Sequence, residues 1–303
     1  TFDRLSPIIP ANHFIVVTSV AYRQLVAEQL PEIPQENILC EPFRRNTAPC
    51  IAYAANWIFS RDPEGMMIVA PSDHLIVQKD KFISVVTEAF TFIEKHPTKL
   101  MTLGMTPTRP ETGYGYIHYE KTHLEGSVSP VIQFVEKPSL EKATEYLMDG
   151  SYAWNAGIFL WTAKTILTQL KEHAPTVATP FEAITSDFNT PREVEAANGA
   201  YEKCASISID YAVMEKSKDV TVICSEFGWS DVGTWGSLYT LCDKDESGNV
   251  PDGAHLYDCK HCIIHTLPEK YVVVQGLDDY IVADTPDALL ICSKSSEQKI
   301  REI

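Results

Sequence analysis

No apolar run in this chain approaches the ~20 residues that a bilayer-spanning helix needs. The longer ones, such as residues 66–70 and 271–274, are of strand length, so no membrane span is expected. Basic residues are scarce as well: Lys and Arg total 25 against 41 Asp and Glu, a net charge of −16. A field of that sign repels polyanions and anionic lipid, which argues against nucleic acid and membrane surfaces as partners. Low-complexity tracts and blocks of like charge are absent, and with 45% hydrophobic and 22% charged residues this excludes the disordered and fibrous classes. A disulfide framework is missing too. The cysteines at 40, 50, 204, 224, 242, 259, 262 and 292 are scattered through apolar segments, which suits free thiols in a reducing compartment. Residues 1–10 lack a basic stretch followed by an apolar one, so no signal peptide is expected and the location reads as cytoplasmic. The chain opens at Thr1 without an initiator Met, and TFDRLSPII reads as the end of a helix already under way, so a preceding segment is expected.

What is present is enough chain, 303 residues, for two domains or one large one with an appendage. Through residue 110, β-rich runs alternate with helical patterns, the signature of βαβ units and a largely parallel sheet. Strands are predicted over 14–18, 38–40, 66–70 and 100–105, with helices over 22–30, 47–60 and 81–96. Ligands of such sheets sit beyond the carboxyl ends of the strands, which directs attention to the residues after Cys40, Ala70 and Met105. Further strands are predicted at 115–120, 131–137, 156–161 and 220–224, with helices at 140–148 and 163–173, a helical excursion over 177–203 and a short helix ending near Leu241. Residues 242–253, CDKDESGNVPDG, form a polar linker. Beyond it, short strands recur at roughly nine-residue spacing, which fits a few coils of a β-helix or a small sandwich. The resulting division is 1–241, a linker over 242–253, and 254–303.

Seven segments carry candidate chemistry. EPFRRNTAP follows a strand and opens a helix with Asn46 or Thr47 as its cap, and Glu41 offers acceptors for the donor edge of a base. The alternative is a capped helix with solvated Arg44 and Arg45. PSDHLI places Asp73 after a buried strand, where a carboxylate can hold Mg2+, and Asp231 in GWSDVGTW is the best second ligand. An Asx-turn is the commoner role of such an Asp. TGYGYI has the glycines for a close backbone approach but leads into a strand, so it is no dinucleotide loop. In FVEKP, Glu136 and Lys137 reach one ligand only where the strand ends, and Pro138 supplies that end; a surface ion pair is the alternative. A carboxylate for vicinal hydroxyls beside an ammonium for phosphate suits a sugar phosphate. WNAGIFLW carries one amide, Asn155, and SIDYAVMEK sets Asp210 at a helix start, where N-capping is the ordinary role. Cys259 and Cys262, with His255, His261 and His265 nearby, have no second CxxC, so buried thiols are preferred to zinc.

In this order the segments resemble the sugar-1-phosphate nucleotidylyltransferases over nearly the whole chain, and EPFRRNTAP resembles their guanylyl-transferring branch that acts on mannose 1-phosphate. The resemblance implies a Rossmann-like α/β domain, with a mixed, mostly parallel sheet flanked by helices, and a small C-terminal left-handed β-helix-like domain. It implies Mg2+ at Asp73 and Asp231, and nucleotide near Glu41, Arg44, Asn46, Thr47 and Asp73. Sugar phosphate would lie near Gly115, Glu136, Lys137, Asn155 and Asp210, with Asp73, Lys137 and Asp231 as the catalytic set. GTP and mannose 1-phosphate are the implied substrates, GDP-mannose and pyrophosphate the products, and a homodimer is left open. Another base or sugar, or an inactive binding homologue, remains the alternative. The Gly-rich N-terminal signature of that family is not among these residues, although Arg44, Arg109 and Lys137 supply some positive charge. From this the chain starting at Thr1 is expected neither to turn over GTP nor to bind it tightly.

Overall fold

The computed structural model describes residues 1–302. In chain order the elements are α1 (Phe2–Leu5), β1 (Val16–Ser19), α2 (Arg23–Gln29), β2 (Ile38–Glu41), α3 (Thr47–Arg61), β3 (Met66–Val69), β4 (Leu75–Ile76), α4 (Lys79–Lys95), β5 (Leu100–Met105), β6 (Gly115–Tyr119), β7 (Val128–Glu136), α5 (Leu140–Asp149) and β8 (Tyr152–Thr162). Then follow α6 (Ala163–His173), α7 (Pro175–Glu182), α8 (Glu193–Lys203), β9 (Val220–Ser225), β10 (Trp229–Ser230), α9 (Trp235–Leu241), β11 (His255–Tyr257), β12 (Ile263–His265), β13 (Val273–Gln275), β14 (Tyr280–Asp284) and β15 (Leu289–Ser293). The two- and three-residue strands β4, β10 and β11 escaped sequence reasoning, because no alternation can show in so few residues.

Two compact units divide the chain: Thr1–Ser72 with Ile76–Trp229, and Asp73–Leu75 with Ser230–Ile303. The sequence instead suggests a division at 241. Trp235, Leu238 and Tyr239 of α9 pack against Ile263, Ile281 and Ala283, so burial assigns that helix to the second unit.

The first unit is built on a six-stranded sheet ordered β3-β8-β5-β9-β7-β6. Of these, β3, β5, β9 and β6 point the same way, and β8 and β7 run against them. The mixed α/β class and the common strand direction are as expected. β8 and β7, running against the others, make most neighbouring pairs antiparallel, with β5–β9 the parallel one. β1 and β2 form a separate parallel pair.

Alternation along the central strands sorts side chains to two faces. Leu100, Phe159, Trp161, Val220 and Val222 join a core with α3 and α6–α8, whereas Met101, Leu103, Met105, Ile158, Leu160 and Ile223 join one with α4. Burial of both faces explains why β5, LMTLGM, carries no charged residue and no polar–apolar alternation.

The second unit carries two coils. His255 lies opposite Val273 and Ile263 opposite Ile281, a shift of 18 residues in both, so the nine-residue spacing of the sequence is two strands per coil. β15 then turns back antiparallel on β14. Cys259 and Cys262 are buried free thiols there, each directed at backbone carbonyls, and no cluster of three or more metal-ligating side chains occurs among the described residues. No helix among those residues is long and apolar enough to cross a membrane.

Gly104 in the middle of β5 tests this packing. A Cβ there would come within 2.8 Å of the Ala153 Cβ and 3.0 Å of Val222 Cγ2, both on packed strands that cannot swing aside. Gly104→Ala is expected to cost about 1–3 kcal/mol, read as a lower denaturant midpoint at unchanged slope. An unchanged midpoint would contradict it.

Candidate active site

The candidate site begins with an interruption in the sheet. β8 pairs with β5 on one side; on the other, β3 takes its residues 159–162 and β6 its residues 152–154. Residues 155–158 thus have no strand on that side, and 156–158 also bulge away from β5, while Asn155 stays opposite Gly104. Gly157 adopts φ 67° within the bulge, a conformation disfavoured for other residues. Asn155 stands where the bulge begins. Its Oδ1 accepts from Gly157 N (3.1 Å) and from Thr102 Oγ1 (3.3 Å), and its Nδ2 donates to Asp210 Oδ1 (2.8 Å).

Gly115 opens β6 directly opposite Glu136, the last residue of β7. A Cβ on Gly115 would overlap the Glu136 carboxylate and lie 3.5 Å from the Asn155 Cβ, so these three residues occupy one place. Lys137, immediately after the strand, has φ 48°, an uncommon value for a non-glycine residue and a hallmark of functional or tightly constrained positions. This turn brings its half-exposed Nζ to 3.1 Å from Glu136 Oε1. The ion pair that the sequence left as the alternative is therefore present, and it stands at the mouth of the cluster.

Asp210 does not cap a helix. It lies in the first turn of a π-helical segment, Asp210–Met214, with its carboxylate held by Asn155. Burial first, and then the Glu136 charge, push its pKa up to about 6. Glu215, which sequence reasoning did not select, is also shifted upward, first by burial and in part by the Glu136 charge.

The segment leading to Asp210 is laced to the helix start at Thr47. Ile207 N donates to Arg45 O (3.2 Å), Ala48 N to Ile207 O (3.1 Å), and Ile209 N to Thr47 Oγ1 (2.8 Å). Asn46 is the cap of α3, with φ 69° and its side chain accepting from Thr47 N. Glu41 ends β2, where desolvation raises its pKa and a 2.8 Å hydrogen bond donated by Tyr201 lowers it. Burial and the Glu41 charge push the neighbouring Cys50 thiol up to about 12, so it stays protonated and inert at neutral pH. Arg44 is exposed.

Arg109 is not available as a loose cation. Its guanidinium donates to Glu111 Oε2 (3.1 and 2.9 Å) and lies over the Trp154 ring at 5.3 Å. Glu111 itself is buried and organises the glycine turn, accepting from Gly113 N, while its own N–H donates to Tyr116 Oη. No residue pattern separates such an internal carboxylate from a ligand-binding one.

β4 pairs with β10. Beyond the pair, Val77 N donates to Gly228 O and Gln78 N to Phe227 O. Asp231 Oδ1 accepts from Gly233 N (3.0 Å), the Asx-turn that the sequence left open, and Asp73 is exposed.

The arrangement matches a known family. Residues 9–248 fit the model of the nucleotidyl transferases. The chain belongs to the nucleotidyl transferase family. Residues 256–303 match a MannoseP isomerase/GMP-like beta-helix domain. A mannose-1-phosphate guanylyltransferase of Klebsiella pneumoniae is 34% identical over 308 residues, covering 100% of this chain and 64% of the relative. One of Escherichia coli (strain K12) is 37% identical over 313 residues, covering 95% and 62%. The chain thus spans less than two thirds of the length of these curated relatives. A crystal structure described as a mannose-1-phosphate geranyltransferase from Thermus thermophilus superposes with a TM-score of 0.85 at 28% identity, covering 99% of this chain and 86% of that one.

The Asp210 shift has a pH consequence. A carboxyl whose folded pKa exceeds its unfolded value of about 4 destabilises the fold when ionised, and that cost fades as pH falls through 6 toward 4. Asp210→Asn is expected to be more stable than the parent by about 1–2 kcal/mol at pH 8, reduced from the full shift by partial solvent access, and equal to it near pH 4. Thermal unfolding at the two pH values checks this; the same difference at both would assign the effect to packing.

Proposed function

We propose that this chain forms the catalytic part of a mannose-1-phosphate guanylyltransferase, transferring GMP from GTP to mannose 1-phosphate and releasing pyrophosphate. The observation that supports it most is the convergence of Gly115, Glu136, Asn155 and Asp210 on the one-sided stretch of β8. Four motifs remote in sequence meet there in a hydroxyl-binding set. Carboxylates and an amide accept from and donate to sugar hydroxyls, and the Gly115 backbone lets a sugar ring approach closely. The guanylyltransferase relatives support the same reading.

In the reaction, a phosphate oxygen of mannose 1-phosphate attacks the α-phosphorus of GTP in line, the Pα–O bond to the β-phosphate breaks, and pyrophosphate departs with the bonding electrons. The nucleophile is already anionic and the leaving group is good, so no general base is needed. Positioning and charge neutralisation carry the rate. Lys137, displaced from Glu136 by the incoming phosphate, neutralises its charge. Glu41, an acceptor at a strand end, takes the N1–H and exocyclic amine of guanine; uracil and thymine lack that paired donor edge. Arg44, Asn46 and Thr47 border the nucleotide.

Asp73 and Asp231 would hold a Mg2+ ion, since two carboxylates leave the remaining positions to phosphate and water, as that ion prefers. The ion would supply charge neutralisation on the triphosphate.

Lys137→Ala is expected to lower kcat of the full-length protein by about a hundredfold or more. Its melting temperature should stay within about 2 °C of the parent, since a half-exposed ammonium contributes little to packing. Near-normal turnover with a large fall in melting temperature would reverse the assignment. Glu41→Gln should erode the preference for GTP over UTP, and equal use of the two by the unmodified protein would refute the base assignment.

A further inference from the structure

Glu41 is held by a side chain that no motif contains. Tyr201 lies on α8, 160 positions away in the helical excursion, and its Oη donates to Glu41 Oε1 at 2.8 Å. The phenol is fully buried, and its ring is clamped edge-on against Phe181 (5.3 Å, 88°) and Tyr53 (6.1 Å, 75°). Tyr53 is fixed in turn by a 3.0 Å bond to Glu193 at the start of the same helix. A ring packed this way cannot follow a rotating carboxylate, so the bond holds Glu41 in one orientation.

We propose that Tyr201 is the positioning residue for base recognition, fixing the plane of the Glu41 carboxylate so that both of its oxygens meet the paired donors of guanine. The inference rests on Glu41 as the base acceptor and deepens that reading. A purine with N1–H and an exocyclic amine presents two parallel donors, and a carboxylate satisfies both only when its plane coincides with that of the base. Oε1 retains a second lone pair beside the one used by Tyr201, so the phenol does not compete with the nucleotide. Cys50 and Cys204 are thiols raised by burial, and the charge of Arg45 acts on Cys204. Burial alone raises the pKa of Glu41, while the Tyr201 bond lowers it and so favours the ionised, acceptor-only form that guanine requires.

GTP and inosine triphosphate separate positioning from stability, because inosine keeps N1–H and lacks the exocyclic amine. In the full-length protein, Tyr201→Phe is expected to reduce the preference for GTP over inosine triphosphate about tenfold, the value of one hydrogen bond to a charged group. Affinity for inosine triphosphate and kcat at saturating GTP should stay within about twofold of the parent. Tyr53→Phe, which removes the other phenol of the same aromatic cluster, should lower the melting temperature and leave the preference intact. An unchanged preference in Tyr201→Phe, or an equal loss for both nucleotides, overturns the proposal and leaves Tyr201 a packing residue. Glu41→Gln gives the independent control: if that variant keeps the full preference, the base assignment itself fails, whereas a collapse there with no effect of Tyr201→Phe refutes only the positioning role.

Discussion

The candidate site depends on β8 having two different partners along one edge. β3 and β6 both pair with that edge, end to end, and the residues between them bulge instead of continuing the ladder. Asn155, in register opposite Gly104 where the bulge begins, bonds across to Asp210, which brings the π-helical segment to the start of β6 and the end of β7. The backbone bonds between residues 45–48 and 207–209 then tie the Glu41 loop to the same segment. One break in regular pairing lies at the centre of the site's polar side chains.

The electrostatics of the first unit are those of a donor-seeking surface. Glu41, Glu136, Asp210 and Glu215 are carboxylates in partly dry surroundings, and burial first, then the charges of Glu136 and Glu215, raises the pKa of Asp210. Such groups suit sugar hydroxyls and base N–H groups, and they oppose phosphate. With Arg109 committed to Glu111 and Trp154, the cationic side chain that stands at the cluster is Lys137. Recognition by acceptors and neutralisation by a few cations is the division of labour expected when substrates are rich in hydroxyls at one end and charge at the other.

The second unit shows how little chain a repeated coil needs. Two turns of 18 residues bury Cys259, Cys262, Ile264 and Val282 in one cluster and Ile263, Ile281 and Ala283 in another, and α9 covers the latter with Trp235, Leu238 and Tyr239. The cysteines serve as small apolar residues whose thiols donate to carbonyls, which is why the spacing that suggested zinc carries none of its geometry.

Apolar periodicity and turn residues determined the alternating elements of the first unit, the recurring short strands after residue 253, and the strand ends and loops in which Glu41, Asp73, Glu136, Lys137 and Asp231 stand. These are local properties, settled within a few residues of each position. The motifs also marked Asn155 and Asp210, though for Asp210 a cap was the ordinary expectation. The tertiary structure alone decided that β8 enters between β3 and β5, that Arg109 is spent on a buried Glu111, and that Asp210 answers Asn155. It likewise decided that Glu41 is oriented by Tyr201 from a helix whose sequence has no distinguishing pattern. Each of these is a contact between segments far apart along the chain, where pairing depends on which surfaces pack together, and periodicity within a segment carries no record of its partner.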